Sequence, residues 1–85
     1  MKLYATTNNT GPSWNFDSTF LRYLGTSLSV AVTVVPANFQ RYEKKEFPTQ
    51  YPSIYAALPD EIQWKFVRYY AADGFWYSVV EFELT

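Results

Sequence analysis

The chain contains no histidine and no cysteine. Without imidazole or thiol it lacks the side chains most often used for proton transfer and nucleophilic attack near neutral pH. A disulfide framework and a Cys/His zinc site are excluded outright. The charge is nearly balanced, eight acids against seven bases for a net −1. That balance excludes both a strongly basic nucleic-acid binder and a heavily acidic mimic of nucleic acid. With three glycines there is no glycine-rich phosphate loop, and no spacing of acids suggests a metal cluster. No cofactor is therefore expected.

Long apolar runs are missing as well. No segment approaches the roughly 20 apolar residues of a membrane span, and the opening from Met1 to Asn9 lacks the apolar stretch of a signal peptide. The expectation is a soluble cytoplasmic protein, in which the sequon Asn8-Asn9-Thr10 carries little meaning.

Aromatic residues, by contrast, are abundant: three Trp, eight Tyr and seven Phe in 85 residues. One domain spanning 1–85 is just above the size at which a core usually needs staples, and the aromatics supply the missing burial.

Hydrophobic periodicity gives the elements. Residues Lys2 to Thr7 alternate as a short strand. Turn formers from Asn8 to Ser13 follow, with Trp14 and Phe16 as anchors. Asp17 or Ser18 caps a short helix carrying Phe20, Leu21 and Leu24, closed by Gly25. Ser27 to Val35 reads as the cleanest strand, with Leu28, Val30, Val32 and Val34 on the core face. The charged stretch from Phe39 to Phe47 suits either an edge strand or a loop. Pro48 and Pro52 make the next stretch extended, before a single turn at Ile54 to Ala56 that is capped by Ser53 and stopped by Pro59. Asp60 and Gln63 have capping-box spacing, predicting the main helix from Asp60 to about Ala72, ended by Asp73-Gly74. Phe75 to Leu84 alternates as a final strand.

The predicted fold class is α+β: a small antiparallel sheet of three or four strands with one main helix and one or two short helices. The element order matches the βαββαβ arrangement of ferredoxin-like domains. The alternative is a three-stranded sheet under one helix. In either arrangement helices cover one face and leave the other partly open. The expected core comprises Leu28, Val30, Val32, Ile62, Phe66, Val80 and Phe82.

Three surfaces emerge as candidates. On the main helix, Trp64 projects among polar residues with Arg68 one turn on, a pairing typical of interface anchors; the bland alternative is that the Trp14 loop covers it. On the open sheet face, Tyr4, Phe75 and Tyr77 form an aromatic platform, although sheets also favour aromatics for cross-strand packing. On the charged stretch, Arg41, Tyr42, Lys44 and Lys45 interleave bases with aromatics as single-stranded nucleic-acid sites do. Glu43 and Glu46 dilute that cluster, and most short charge runs are solvated edges.

Two family resemblances are local. Leu3-Tyr4-Ala5 together with Gly74-Phe75-Trp76-Tyr77 and Val80-Glu81-Phe82 resembles the strand signatures of RNA-recognition motifs, which stack bases on a sheet. In that family the glycine-aromatic stretch lies on the third strand, whereas here it lies on the last, beside Glu81 and Glu83. Leu58-Pro59-Asp60-Glu61-Ile62 resembles the start of an F-box, but its Pro and acids are what any helix N-terminus prefers. Neither family is carried over.

Catalysis would fall to carboxylates, lysine or tyrosine. The one regular acidic pair, Glu81 and Glu83, stands roughly 6.6 to 6.8 Å apart along a strand, which does not by itself indicate acid-base work. The expected function is thus a small non-enzymatic protein-interaction module, an inhibitor or adaptor of the stand-alone kind that phages encode, contacting its protein partner through Trp64, Arg68, Tyr4, Phe75 and Tyr77. The alternative is single-stranded nucleic-acid binding through the aromatic sheet face and the basic edge from Arg41 to Lys45.

Overall fold

Alternating side chains at the N-terminus form β1, Lys2–Thr10, which lies inside an antiparallel sheet. The computed structural model describes residues 1–10, 20–58, 60–63, 65–72 and 74–83, without the side chains of 10, 54, 57, 61 and 62. The remaining elements follow as β2 (Leu21–Gly25), α1 (Leu28–Thr33), β3 (Gln40–Tyr42), α2 (Phe47–Gln50), α3 (Pro52–Ala57), α4 (Asp60–Gln63), β4 (Phe66–Ala72) and β5 (Phe75–Glu83). The five strands lie in the order β2-β1-β5-β4-β3, every neighbouring pair antiparallel. Among the described residues no helix is long and apolar enough to cross a membrane.

The α+β class and the antiparallel sheet are as expected, and so is the pairing of the first and last strands. The finer expectation was wrong: among the described residues there are five strands and no main helix, and the strand order is not ferredoxin-like.

The largest correction concerns residues 60–72. Helix α4 ends after one turn, at Gln63. The Gln63 side-chain amide donates to the carbonyls of Tyr55 (3.2 Å) and Leu58 (3.0 Å), tying off the end of α3. From Phe66 onward the aromatic and β-branched residues favour a strand. Ala72 pairs with Phe75, so the chain reverses in two residues, and Gly74 takes φ +82°, a left-handed conformation that glycine adopts at no steric cost. Gly74 thus belongs to a hairpin rather than to the end of a helix.

Residues 27–35 make the opposite error. Their alternation reads as a strand, yet Leu28–Thr33 is helical. As N-cap, the Ser27 hydroxyl accepts from the Val30 N–H at 3.3 Å. Thr6 donates to the Ala31 carbonyl at 2.7 Å, one of the groups that a helix end leaves unpaired. Ala31 is the fully buried residue of this element, while Val30 is 45 % exposed and Leu28, Val32 and Val34 are half-buried. A small side chain at the contact lets α1 lie close to the sheet.

The expected helix from 17 to 25 is instead β2 over its described part. Two turns cannot hold themselves without packing, whereas pairing with β1 satisfies the backbone directly. Gly25 is no helix cap: a Cβ there would meet the Tyr23 hydroxyl at 2.5 Å. Trp14 and Phe16 lie outside the described residues.

Pro48 and Pro52 fall in the first turns of α2 and α3, where a missing N–H costs no helical bond. The stretch is consequently helical rather than extended. Tyr51 precedes α3 without a side-chain cap, so Ser53 does not serve as one. Of residues 39–47, Gln40–Tyr42 form the edge strand and Phe47 opens α2.

Helices cover both faces of the sheet, not one. Against one face pack Phe47, Leu58, Tyr51 and Tyr55, meeting Phe66, Tyr69, Trp76 and Val80. Against the other pack Ala31, Leu28, Val32, Val35 and Phe39, meeting Tyr70, Tyr77 and Val79. Phe66 and Val80 of the expected core are buried, Phe82 is partly buried against the first cluster, and the Ile62 side chain lies outside the described residues.

Candidate functional site

Register decides which aromatic residues can act together. In the β1–β5 ladder Tyr4 faces Glu81, Asn8 faces Tyr77 and Thr10 faces Phe75. The antiparallel direction therefore separates Tyr4 from Phe75 by six positions along β5, and the expected platform of Tyr4, Phe75 and Tyr77 does not assemble. Tyr77 is only 8 % exposed and receives the edge of Phe39, with ring centroids 4.9 Å apart and planes at 89°. It is a core residue beneath the α1 layer, not a docking residue.

Phe75 differs from it. It opens β5 beside the Gly74 turn and remains 51 % exposed. Its neighbours in the ladder are Ala72 on β4 and Thr10 on β1, so it sits at one end of the sheet where three strands come together. An aromatic ring left half in water at a fixed turn is the type of group that anchors a protein contact.

At the opposite end Tyr4 is half-buried next to Glu81, whose carboxylate lies 3.4 Å from Lys2 Nζ. Partial desolvation, followed by a hydrogen bond to Glu81 and that residue's charge, holds the Tyr4 hydroxyl above the usual tyrosine range. Glu83 pairs with the N-terminal ammonium at 3.2 Å. The two acids of β5 thus zip the N-terminus onto the sheet, each with its own cation.

Arg68 and Arg41, expected in two separate sites, meet at one carboxylate. Arg41 faces Tyr70 across the β3–β4 ladder, and Arg68 stands two residues before Tyr70 on the same face. A bulge between Phe66 and Arg68 makes this possible: it shifts the alternation so that Phe66 enters one core while Arg68 emerges on the opposite face. Arg41 Nη2 lies 2.6 Å from Glu43 Oε1, and Arg68 Nη1 lies 3.8 Å from Glu43 Oε2.

Because 66–72 is extended, Arg68 stands on a strand and not on the helix face expected for it. Trp64 itself lies outside the described residues. Tyr42 points to the face opposite Arg41 and meets Tyr51 edge-on at 5.5 Å, while Lys44 and Lys45 are exposed in the following turn. The basic cluster from 41 to 45 is thereby divided between two faces.

The most enclosed chemistry is aromatic. Phe47, Phe66, Tyr69 and Trp76 are all buried, and the Tyr69 hydroxyl is buried with no hydrogen-bond partner. Burial, reinforced by Tyr55, pushes that hydroxyl far above the usual tyrosine range. Across the same face Thr7 and Ser78 share a 2.7 Å hydrogen bond and Asn9 donates to Thr7 at 3.0 Å, whereas Asn8 Oδ1, also on β1, is buried with no hydrogen-bond partner. Among the described residues no cavity opens, and no three acids gather where a metal could bind.

Sequence reasoning missed the organising role of Glu43, which it read only as diluting a basic run. Alternation around Asp73-Gly74 was the available signal, since a hairpin there makes 66–72 a strand and brings Arg68 next to Arg41. No protein-family model matches this chain, and no curated protein or solved structure matches it.

Proposed function

We propose that this chain is a small non-enzymatic protein-interaction module, acting as an inhibitor or adaptor, with Phe75 as its principal anchor. The observation that carries the reading is the 51 % exposure of Phe75, the one exposed aromatic side chain among the described residues, while its strand neighbour Tyr77 is buried. Its position beside a hairpin turn gives the ring a defined backbone from which to present itself, and rigid aromatic anchors bind at low entropic cost. Nucleic-acid binding receives less support, because Tyr77 is covered and Arg41 already holds Glu43.

Affinity capture from the cells that make this protein, with mass spectrometry, tests the reading when run beside a Phe75→Ser variant. A captured protein that the folded variant no longer retains supports it. Capture that is indifferent to Phe75 removes Phe75 as the anchor. A salt-sensitive gel shift with single-stranded oligonucleotides in place of any protein partner would favour the nucleic-acid reading.

A further inference from the structure

We propose that Arg41 and Arg68 form a receptor for a phosphate monoester dianion, which the Glu43 carboxylate fills in the free protein. The two guanidiniums approach opposite oxygens of one carboxylate, so they stand at the two-oxygen spacing that a phosphate also presents. Their engagement is unequal. Arg41 makes a short charge-assisted hydrogen bond at 2.6 Å. Arg68, at 3.8 Å from the same carboxylate, is too far to donate and keeps its fork of N–H groups for another acceptor.

Charge selects the ligand. A partner's carboxylate would replace Glu43 like for like, with nothing gained. A monoester dianion brings one more negative charge and a third oxygen to the two arginines. A phosphodiester carries one charge, as Glu43 does, and a nucleic-acid strand needs a continuous basic track. Here Glu46 interrupts the track, its carboxylate accepting the Glu43 N–H at 3.0 Å. Glu43 is about half exposed, so its side chain can swing into water when displaced. The site stands on its own geometry and does not depend on Phe75.

The test is an amide NMR titration with phenyl phosphate at low salt, using dimethyl phosphate, acetate and oligothymidylate as competitors of other chemistry. Saturable shifts are expected at residues 41–43 and 68–70. Binding should tighten roughly tenfold in Glu43→Gln, which keeps the shape and removes the competing charge, and weaken at least tenfold in Arg68→Gln, the scale of one hydrogen bond to a charged group. It should also fade as pH falls through about 6, where the dianion gains a proton. If Arg68→Gln perturbs the fold, Arg68→Lys retains the charge without the fork and must still lose affinity. Absence of saturable shifts in Glu43→Gln would overturn the proposal. So would equal binding of acetate or dimethyl phosphate, and tighter binding of oligothymidylate through the same residues would assign the site to nucleic acid instead.

Discussion

The ring of Tyr69 lies flat against the ring of Phe47, with centroids 3.8 Å apart and planes 16° from parallel. The first residue of a one-turn helix thereby closes the sheet over β4, and Phe66 (4.3 Å from Tyr69) and Trp76 (6.0 Å from Phe47) complete the cluster. Helices of four to six residues have little stability of their own, so such contacts must hold α2 and α3 in place.

Phe47→Ala should therefore destabilise the domain by about 3 to 5 kcal/mol, as should Phe66→Ala. Urea unfolding followed by far-ultraviolet circular dichroism measures both. A Phe47 variant within about 0.5 kcal/mol of the parent, the range of an ordinary surface change, would mean that α2 is not pinned by this ring.

Tyr69→Phe should do the reverse. The hydroxyl is buried without a partner, and such a group costs about 1 to 3 kcal/mol, so its removal should stabilise by roughly 1 kcal/mol. A pH signature accompanies this. The folded Tyr69 holds its proton far above the ordinary tyrosine value, so above about pH 10 the unfolded chain binds fewer protons than the native one, and stability falls as pH rises. In Tyr69→Phe that alkaline loss should begin later and be shallower. An unchanged alkaline profile, or a loss of stability at neutral pH, would show that the hydroxyl has a role that burial does not reveal.

Gly74→Ala isolates backbone strain, because nothing lies within 4 Å of the added Cβ while φ stays at +82°. The expected cost is about 1 to 2 kcal/mol, with Gly74→Asn milder because asparagine tolerates the left-handed region. Equal thermal midpoints for Gly74→Ala and the parent would mean that the turn relaxes to negative φ.

Much of the sheet was legible in the sequence. Alternation gave β1 and β5, whose signals are local; their adjacency was expected from a ferredoxin-like order that the sheet does not have, and the charged stretch left β3 open between an edge strand and a loop. The errors share a cause. At 27–35 the β-branched residues favour a strand, but the Ser27 cap and the close seat of Ala31 on Thr6 override that propensity. At 60–72 a helix-opening pattern runs into residues whose pairing with β5 decides their state, which no local window contains. The candidate site was harder still: Phe75 and Tyr77 share one strand face and differ only in what packs over them, and Arg41 meets Arg68 because of a one-residue bulge.

The most direct measurement of the central claim compares Phe75→Ser with Tyr77→Ala, thermal melting beside affinity capture. Phe75→Ser should melt within about 0.5 kcal/mol of the parent and lose the captured partner by about 2 kcal/mol or more of binding energy. Tyr77→Ala should instead lose about 3 to 5 kcal/mol of stability, as a buried aromatic does. A Phe75→Ser variant that unfolds like a core mutant, or that stays folded and keeps the partner at full affinity, would contradict the assignment of Phe75 as the anchor of a protein-interaction module.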